Sequence, residues 1–235
     1  VAVLVLALIG FLYVVGITRD DSDILQLPYL MLYFLLATTV TVAMAAGTIS
    51  SERESRALAL LLSVPVSDGY IVSAKLLGVL YRAIPPWAAM VLHTVIFSIA
   101  GVLRPVVILH VVLIALAMIP FLSGLGMYLS SHCRSSANAA LLAILVCVLL
   151  WGVMPGALTA AVSPWDHGRV VQELTAHGNP FLQLIASVRG ALIEDSWRAR
   201  RRQGYEWPGA GLAEAGEVTR ILLVSLLAYG LSGAV

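Results

Sequence analysis

Ser130, Ser131 and His132 are consecutive, and Ser123 precedes them by about two turns if the segment is helical. A serine hydroxyl beside a histidine base is the minimum for nucleophilic catalysis, and in a membrane it would indicate a protease or a lipid-modifying transferase. Adjacent residues point in different directions on a helix, however. The apolar segments also lack G-x-S-x-G, H-E-x-x-H and aspartate-rich phosphate motifs. An intramembrane enzyme is therefore the alternative interpretation.

Other groups could bind a metal or carry a proton. His93 and His110 fall in apolar segments, where a neutral histidine more often makes a helix-to-helix hydrogen bond than a metal or proton site. Cys133 and Cys147 form neither a disulfide nor a zinc pattern. The acidic segment 20–23 could bind a cation but is more typical of a solvated turn. We therefore predict no metal and no cofactor on this chain.

The chain has no visible energy source of its own. Ion-coupled carriers place acidic residues, lysine or histidine inside the membrane, and no Asp or Glu occurs in the apolar segments predicted to span it. The phosphate-binding pattern G-x-x-x-x-G-K-[ST] is also missing. A transporter of this composition must draw its energy from a separate subunit.

A short charged and leucine-rich segment lies between two long apolar runs, at residues 50–68. Ser51 followed by Glu54 is a capping-box pattern, which predicts a helix start near Ser51. Pro65 cannot donate a hydrogen bond and disfavours helix at Val64, so the helix should end there. A helix of about a dozen residues is too short to cross a bilayer and should lie along its surface.

The residues named above lie on or between predicted apolar helices. With 60% hydrophobic and 11% charged residues and a mean hydropathy of +0.95, the chain is an all-α integral membrane protein. We expect residues 1–235 to form one transmembrane domain that is a piece of a longer chain. A span needs about 20 residues. Six apolar runs meet this length: Val1 to Ile17, Leu27 to Ile49, Ile84 to Leu103, Pro105 to Leu129, Ala137 to Val162 and Val218 to Val235.

Two details refine this arrangement. We expect the third span to continue a helix from Tyr70, with Pro85 and Pro86 marking a bend rather than an end. The small-residue pairs Gly124/Gly126 and Gly152/Gly156 would let helices approach closely.

The basic residues predict the orientation. A cytoplasmic N-terminus places Arg104 in a short outer loop. It also makes residues 163–217 an outer loop that contains a short interfacial helix from Phe181 to Ile193. The same topology puts a larger set of basic residues on the inner side: Arg53, Arg56, Lys75, Arg82 and Arg134.

Three stretches resemble the permease subunits of type-two ATP-binding-cassette (ABC) exporters. AGTISSERESRALALLLSVPVSDGYIVSAKLLGVL follows an apolar helix as in that family, with a charged start, a leucine-rich helix, a proline and a lysine. GLGMYLSSHCRSSANAALLAILVCVLLW resembles the family's small-residue helix, cytoplasmic turn and fifth span, and NPFLQLIASV resembles the stretch before its last span. The likeness covers most of residues 27–192.

The resemblance implies that the short helix couples the spans to a separate ATPase subunit. ATP and magnesium would bind to that partner and not to this chain. Arg56 and Ala57 depart from the Gly-Thr pair that is common in the family. The positions implied in coupling are Glu52, Arg53, Glu54, Arg56, Leu58, Leu61, Leu62 and Pro65, with Lys75 on the next helix.

The sequence therefore predicts a permease in a bacterial inner membrane, most consistent with an exporter. It would pair with a second permease half, identical or related, and contact membrane lipid. A net charge of +1 and the absence of a suitable motif argue against nucleic acid as a partner. A pathway lined by Thr38, Thr39, Thr41, Ser98 and aromatic residues would suit an amphipathic cargo. A structural or assembly protein of a membrane complex is a further alternative.

Overall fold

A computed structural model describes residues 22–55, 67–162, 177–191, 205–207, 211–213 and 215–234. The predicted first span, 1–17, lies outside these residues. The described elements, in chain order, are α1 (Ser22–Glu54), α2 (Asp68–Ile99), α3 (Val106–His132), α4 (Ser136–Val148), a π-helical turn (Leu149–Val153), α5 (Met154–Val162), α6 (Pro180–Ala191), β1 (Tyr205–Trp207), β2 (Gly211–Ala213) and α7 (Ala215–Ala234).

Four described stretches are long and apolar enough to cross a membrane: Gln26–Glu54, Gly69–Ile99, Val106–His132 and Ser136–Leu158. They coincide with the second to fifth predicted spans. The sixth predicted span corresponds to α7, a 20-residue helix that is not among these four. α2 runs without interruption from Asp68 through Pro85 and Pro86, so the two prolines do not end it, as predicted.

The helices form a bundle whose two ends differ in chemistry. Lys75, early in α2, donates to the carbonyl oxygen of Thr48, late in α1. His93, late in α2, pairs with Gln26, early in α1, so these two helices are antiparallel. We call the region formed by Ser51–Ser55, the start of α2 up to Lys75 and the α3–α4 turn (Ser131–Ser136) the charged end.

α3 is the most buried of the four described spans. Two of its glycines allow neighbouring helices to pack closely against it. A Cβ on Gly126 would lie 2.5 Å from the Ala45 Cβ, and one on Gly124 would overlap the Gly233 carbonyl oxygen. These positions therefore let α1 and α7 pack directly on the α3 backbone, which confirms the close approach predicted there. A Cβ on Gly152 or Gly156 would meet nothing within 4 Å, so that pair makes no such contact with the described residues.

The helix predicted to begin near Ser51, in the segment 50–68, does not begin there. Ser51 belongs to the last turn of α1, which continues to Glu54, and its carbonyl accepts from the Ser55 N–H at 3.0 Å. N–H groups this far into a helix already have helical acceptors, so a capping box has nothing to satisfy. The capping-box prediction was wrong, and residues 56–66 lie outside the described part of the chain.

The predicted outer loop contains α6, in the region where a short interfacial helix from Phe181 to Ile193 was predicted. α6 packs against the spans, and Leu184 and Val188 are fully buried. The Arg104 N–H donates to the Ala191 carbonyl at 2.8 Å, which fixes the end of α6 to the α2–α3 connection. The all-α prediction is interrupted by one antiparallel pair of three-residue strands, β1 and β2.

Candidate functional site

The charged end joins three parts of the chain. Glu52, in the last turn of α1, forms an ion pair with Lys75 of α2. The same Lys75 ammonium donates to the Thr48 carbonyl at 3.4 Å. One cation thus ties the start of α2 to two successive turns of α1.

Arg53 binds the end of α3. Its Nη2 donates to the Ser131 carbonyl at 3.0 Å and its Nη1 donates to the Cys133 carbonyl at 3.2 Å. Carbonyls at a helix C-terminus lack helical partners and carry partial negative charge. The guanidinium therefore satisfies two such acceptors and complements the α3 dipole.

Glu54 binds the start of α4. Its two carboxylate oxygens accept from the Ser136 N–H and the Ser136 hydroxyl, each at 2.9 Å. Ser135 caps the same helix by accepting from the Asn138 N–H at 3.3 Å. Two of the first unpaired N–H groups of α4 are thus satisfied, one by its own N-cap and one by α1.

The electrostatics follow from this geometry. α1 has 33 residues and a length of about 50 Å, which exceeds the hydrocarbon layer of about 30 Å. Because the residues after Ile49 are charged, we place its last turn outside that layer. There the N–H and the hydroxyl of Ser136 lower the pKa of the Glu54 carboxyl below its usual value. Glu54 is therefore an anion at neutral pH, placed at the positive end of the α4 dipole.

Directly beneath, two serines lock α1 to α3. The Ser130 hydroxyl oxygen accepts from the Ile49 N–H at 3.0 Å and the Ser50 N–H at 2.9 Å, and it lies 3.2 Å from the Ser50 hydroxyl. Both serines are fully buried. Ser130 is thus occupied in holding two helices together.

The Ser131–His132 pair is not arranged as a nucleophile and base. The Tyr128 carbonyl accepts from the Ser131 hydroxyl at 2.7 Å and lies 2.9 Å from His132 Nδ1. Because a carbonyl only accepts, Nδ1 carries a proton there and cannot take one from Ser131, although the two atoms are 3.0 Å apart. Among the described residues, no three His, Cys, Asp or Glu side chains could together hold a metal ion.

The structure brings together four of the predicted coupling residues, Glu52, Arg53, Glu54 and Lys75. The other predicted positions lie outside the described residues: Arg56, Leu58, Leu61, Leu62 and Pro65. Sequence reasoning missed the partners on the α3–α4 turn. The serine-rich run Ser130-Ser131 and Ser135-Ser136 around that turn, typical of helix caps, was the available signal.

A cavity of about 350 Å³ lies between α1 and α4, with Phe181 of α6 beside it. Thr38 and Thr39, two of the residues named for a predicted pathway, line this cavity, whereas Thr41 and Ser98 do not. Thr41 points away from it and accepts from the Trp87 indole N–H at 3.0 Å. The lining residues are Leu35, Thr38, Thr39, Val42, Ile144, Cys147, Val148, Trp151, Gly152 and Phe181.

The π-helical turn Leu149–Val153 forms part of this wall, and Asn179 supports it. The Asn179 Nδ2 donates to the Trp151 carbonyl at 2.7 Å, while its Oδ1 accepts from the Phe181 N–H at 3.0 Å. A single buried amide side chain therefore caps α6 and binds a carbonyl in the turn. Such turns occur often at functional sites.

Both membrane-embedded histidines join helices, as predicted. His93 Nε2 lies 3.0 Å from Gln26 Oε1. His110 Nε2 lies 2.9 Å from the Thr219 hydroxyl, which connects α3 to α7. Each histidine side chain thus contacts a second helix.

One comparison with known proteins identifies the family of the chain. A family model described as ABC-2 family transporter protein matches residues 2–191. No curated protein and no solved structure matches the chain. The matched range contains α1 to α6, the charged end and the cavity. The protein is a membrane-spanning member of the ABC-2 transporter family.

Proposed function

We propose that this chain is the permease subunit of an ABC exporter in a bacterial inner membrane. It would form the substrate pathway, pair with a second permease half and be driven by ATP hydrolysis on a separate ATPase subunit. The observation that carries the proposal is the convergence of Glu52, Arg53, Glu54 and Lys75 at one end of the bundle. The segment 56–66 connects α1 and α2 at this same end.

The location of the charged end supports docking of the ATPase there. ATP binding on attached subunits would close their interface and displace the segment held between them. The coupling positions at 56–65 would lie against the ATPase, and the charged end would connect them to the spans. The chain would itself make and break no covalent bond.

The cavity supports a transport pathway between α1 and α4. Its volume of about 350 Å³ lies within the range of about 300 to 1,000 Å³ that is usual for small-molecule sites. Apolar side chains dominate its lining, and the threonine hydroxyls at Thr38 and Thr39 supply polar groups. This lining suits an amphipathic cargo, and the second permease half would complete the pathway.

The test is co-expression of the chain with an ABC ATPase encoded by a neighbouring gene. We expect a stable complex whose rate of ATP hydrolysis in proteoliposomes differs from that of the isolated ATPase. Arg189→Gln, a substitution at an exposed position of α6 at the opposite end of the bundle, is the control. It should bind the ATPase and change its rate of ATP hydrolysis as the unsubstituted chain does. A chain that binds no ATPase, or an ATPase whose turnover it leaves unchanged, would contradict the proposal.

A further inference from the structure

Arg53 and Glu54 are adjacent in sequence, yet they bind the two sides of one turn. Arg53 contacts the carbonyls of Ser131 and Cys133 at the end of α3, and Glu54 contacts Ser136 at the start of α4. We call this set of four hydrogen bonds the Arg–Glu bridge. It connects the end of α1 to a turn about 80 positions later in the chain.

The order of the two charges fits the two helix dipoles. The C-terminus of α3 carries partial negative charge and faces the cation, and the N-terminus of α4 carries partial positive charge and faces the anion. Exchanging the two residues would keep the net charge and reverse both interactions. The order Arg53 then Glu54 is therefore needed for both charges to interact favourably with the α3–α4 turn.

α4 carries this connection to the cavity. Ile144 and Trp151 lie 8 and 15 residues beyond Ser136 on one continuous helical stretch, at about 12 and 22 Å along its axis. The opposite wall, formed by Leu35 to Val42, belongs to α1 itself. The two walls of the cavity are thus fastened together at the charged end.

The far end of this stretch is also fastened. The π-helical turn contacts α6 through the hydrogen bond between the Trp151 carbonyl and Asn179. A helix held at two points and displaced at one of them must tilt or bend between them. The cavity wall lies in that interval.

We propose that Arg53 and Glu54 are positioning residues that transmit displacement of the coupling segment to α4, and so change the cavity during the ATP cycle. This inference rests on the proposed function. It assigns the two residues to a contact within the permease, whereas the family resemblance implies a contact with the ATPase.

The side-chain chemistry of Glu54 separates these two roles. Glutamine keeps an oxygen that accepts from the Ser136 N–H and an amide that can donate to the Ser136 hydroxyl, but it loses the charge. Glu54→Gln therefore preserves the hydrogen bonds that define the bridge and removes any ion pair with an ATPase. Glu54→Leu removes both the hydrogen bonds to Ser136 and the charge. The exchange of Arg53→Glu with Glu54→Arg keeps the composition and sets both charges against the helix dipoles.

The chain supplies its own reporter of the cavity. It contains two cysteines, Cys133 and Cys147, and Cys147 lines the cavity. Cys133→Ala retains the backbone carbonyl that Arg53 binds and leaves Cys147 as the single thiol. The rate at which N-ethylmaleimide labels Cys147, read by mass spectrometry, then reports access to the wall.

The experiment uses the complete complex with its ATPase, with and without ATP and vanadate. We expect the nucleotide to change the Cys147 labelling rate severalfold in the Cys133→Ala protein and in its Glu54→Gln derivative. In Glu54→Leu and in the charge exchange, most of this change should disappear while ATP hydrolysis continues. Size-exclusion chromatography of each complex verifies that it remains assembled.

Each other outcome has a defined meaning. If Glu54→Leu and the charge exchange keep the full response, the bridge does not transmit the motion, although the proposed function stands. If Glu54→Gln fails as Glu54→Leu does, or if the variants release the ATPase, the charge serves the ATPase contact and the bridge is overturned. If the unsubstituted complex shows neither ATP hydrolysis nor a nucleotide response, the proposed function fails and the bridge fails with it.

Discussion

Glu54 accepts hydrogen bonds from both the backbone N–H and the hydroxyl of Ser136, although the two residues are 82 positions apart. The same glutamate stands three residues after Ser51, which made it a candidate for a local capping box. It does cap a helix, but the helix is α4 and not its own. A capping residue can thus serve a distant helix when the fold brings that N-terminus within reach.

Glu54→Lys should uncouple ATP hydrolysis from the permease. The substitution places a cation against the N-terminus of α4, where the N–H groups repel it and the carboxylate acceptor for Ser136 is lost. The spans should stay folded, because the residue lies in an exposed turn outside the core. ATP turnover in proteoliposomes should then no longer respond to the permease. Arg189→Glu, a charge reversal of the same size at an exposed position of α6 at the other end of the bundle, is the matched control and should keep the response.

His93 and Gln26 should contribute to stability and not to proton coupling. His93→Leu and Gln26→Leu each remove one side of a buried pair, and a double-mutant cycle should give an interaction energy of about 0.6 to 1.7 kcal/mol. Reversible unfolding in detergent measures this energy. The pH profile of transport should be the same in His93→Leu and in the reference protein. A shifted profile would instead support a proton relay through His93.

Gly126→Ala should destabilise the bundle by about 1 to 3 kcal/mol. An added Cβ would lie 2.5 Å from the Ala45 Cβ and 2.9 Å from the Ala46 nitrogen, so α1 and α3 would have to separate. Gly152→Ala is the matched control, since its Cβ would meet nothing within 4 Å. Thermal unfolding in detergent compares the two proteins. Equal stability of both would show that α1 and α3 do not pack this closely.

Asn179→Leu should cost about 1 to 3 kcal/mol, because it leaves the Trp151 carbonyl without its donor and removes the cap of α6. Asn179→Ser keeps a cap oxygen but is too short to reach the Trp151 carbonyl, so its loss should be intermediate. Asn138→Leu, an exposed change in α4, is the control and should be near neutral. Hydrogen exchange at Phe181 and the following residues should rise in Asn179→Leu; unchanged exchange would argue against the cap.

Much of the bundle could be predicted from the sequence because hydrophobic length alone defines spans two to five. The roles of His93, His110, Gly124 and Gly126 were also predictable, since burial of a polar group in a membrane requires a partner and small residues permit close packing. These are local properties of each helix.

The remaining features depend on tertiary contacts. The serines around the α3–α4 turn indicate a helix cap, but they do not indicate that Glu54 meets Ser136, because that pairing arises only when α1 and α3 pack in parallel. The π-helical turn could not be predicted either, because no motif in Leu149–Val153 indicates it. Asn179, which binds the Trp151 carbonyl in this turn, lies 28 positions later in the chain. The packing of α6 on the spans also depends on tertiary contacts, because its apolar residues alone do not indicate which helices they meet.

The central claim is that this chain is a passive pathway driven by an ATPase that binds the segment after Glu54. Proteoliposomes that contain the chain alone, the chain with its ATPase, or the Leu61→Asp variant with its ATPase provide the most direct test. Accumulation of a fluorescent amphipathic probe against its gradient is the measured quantity. We expect accumulation only with the unsubstituted chain, its ATPase and ATP together. Sustained uphill flux from the isolated chain, or undiminished flux in Leu61→Asp, would contradict the claim.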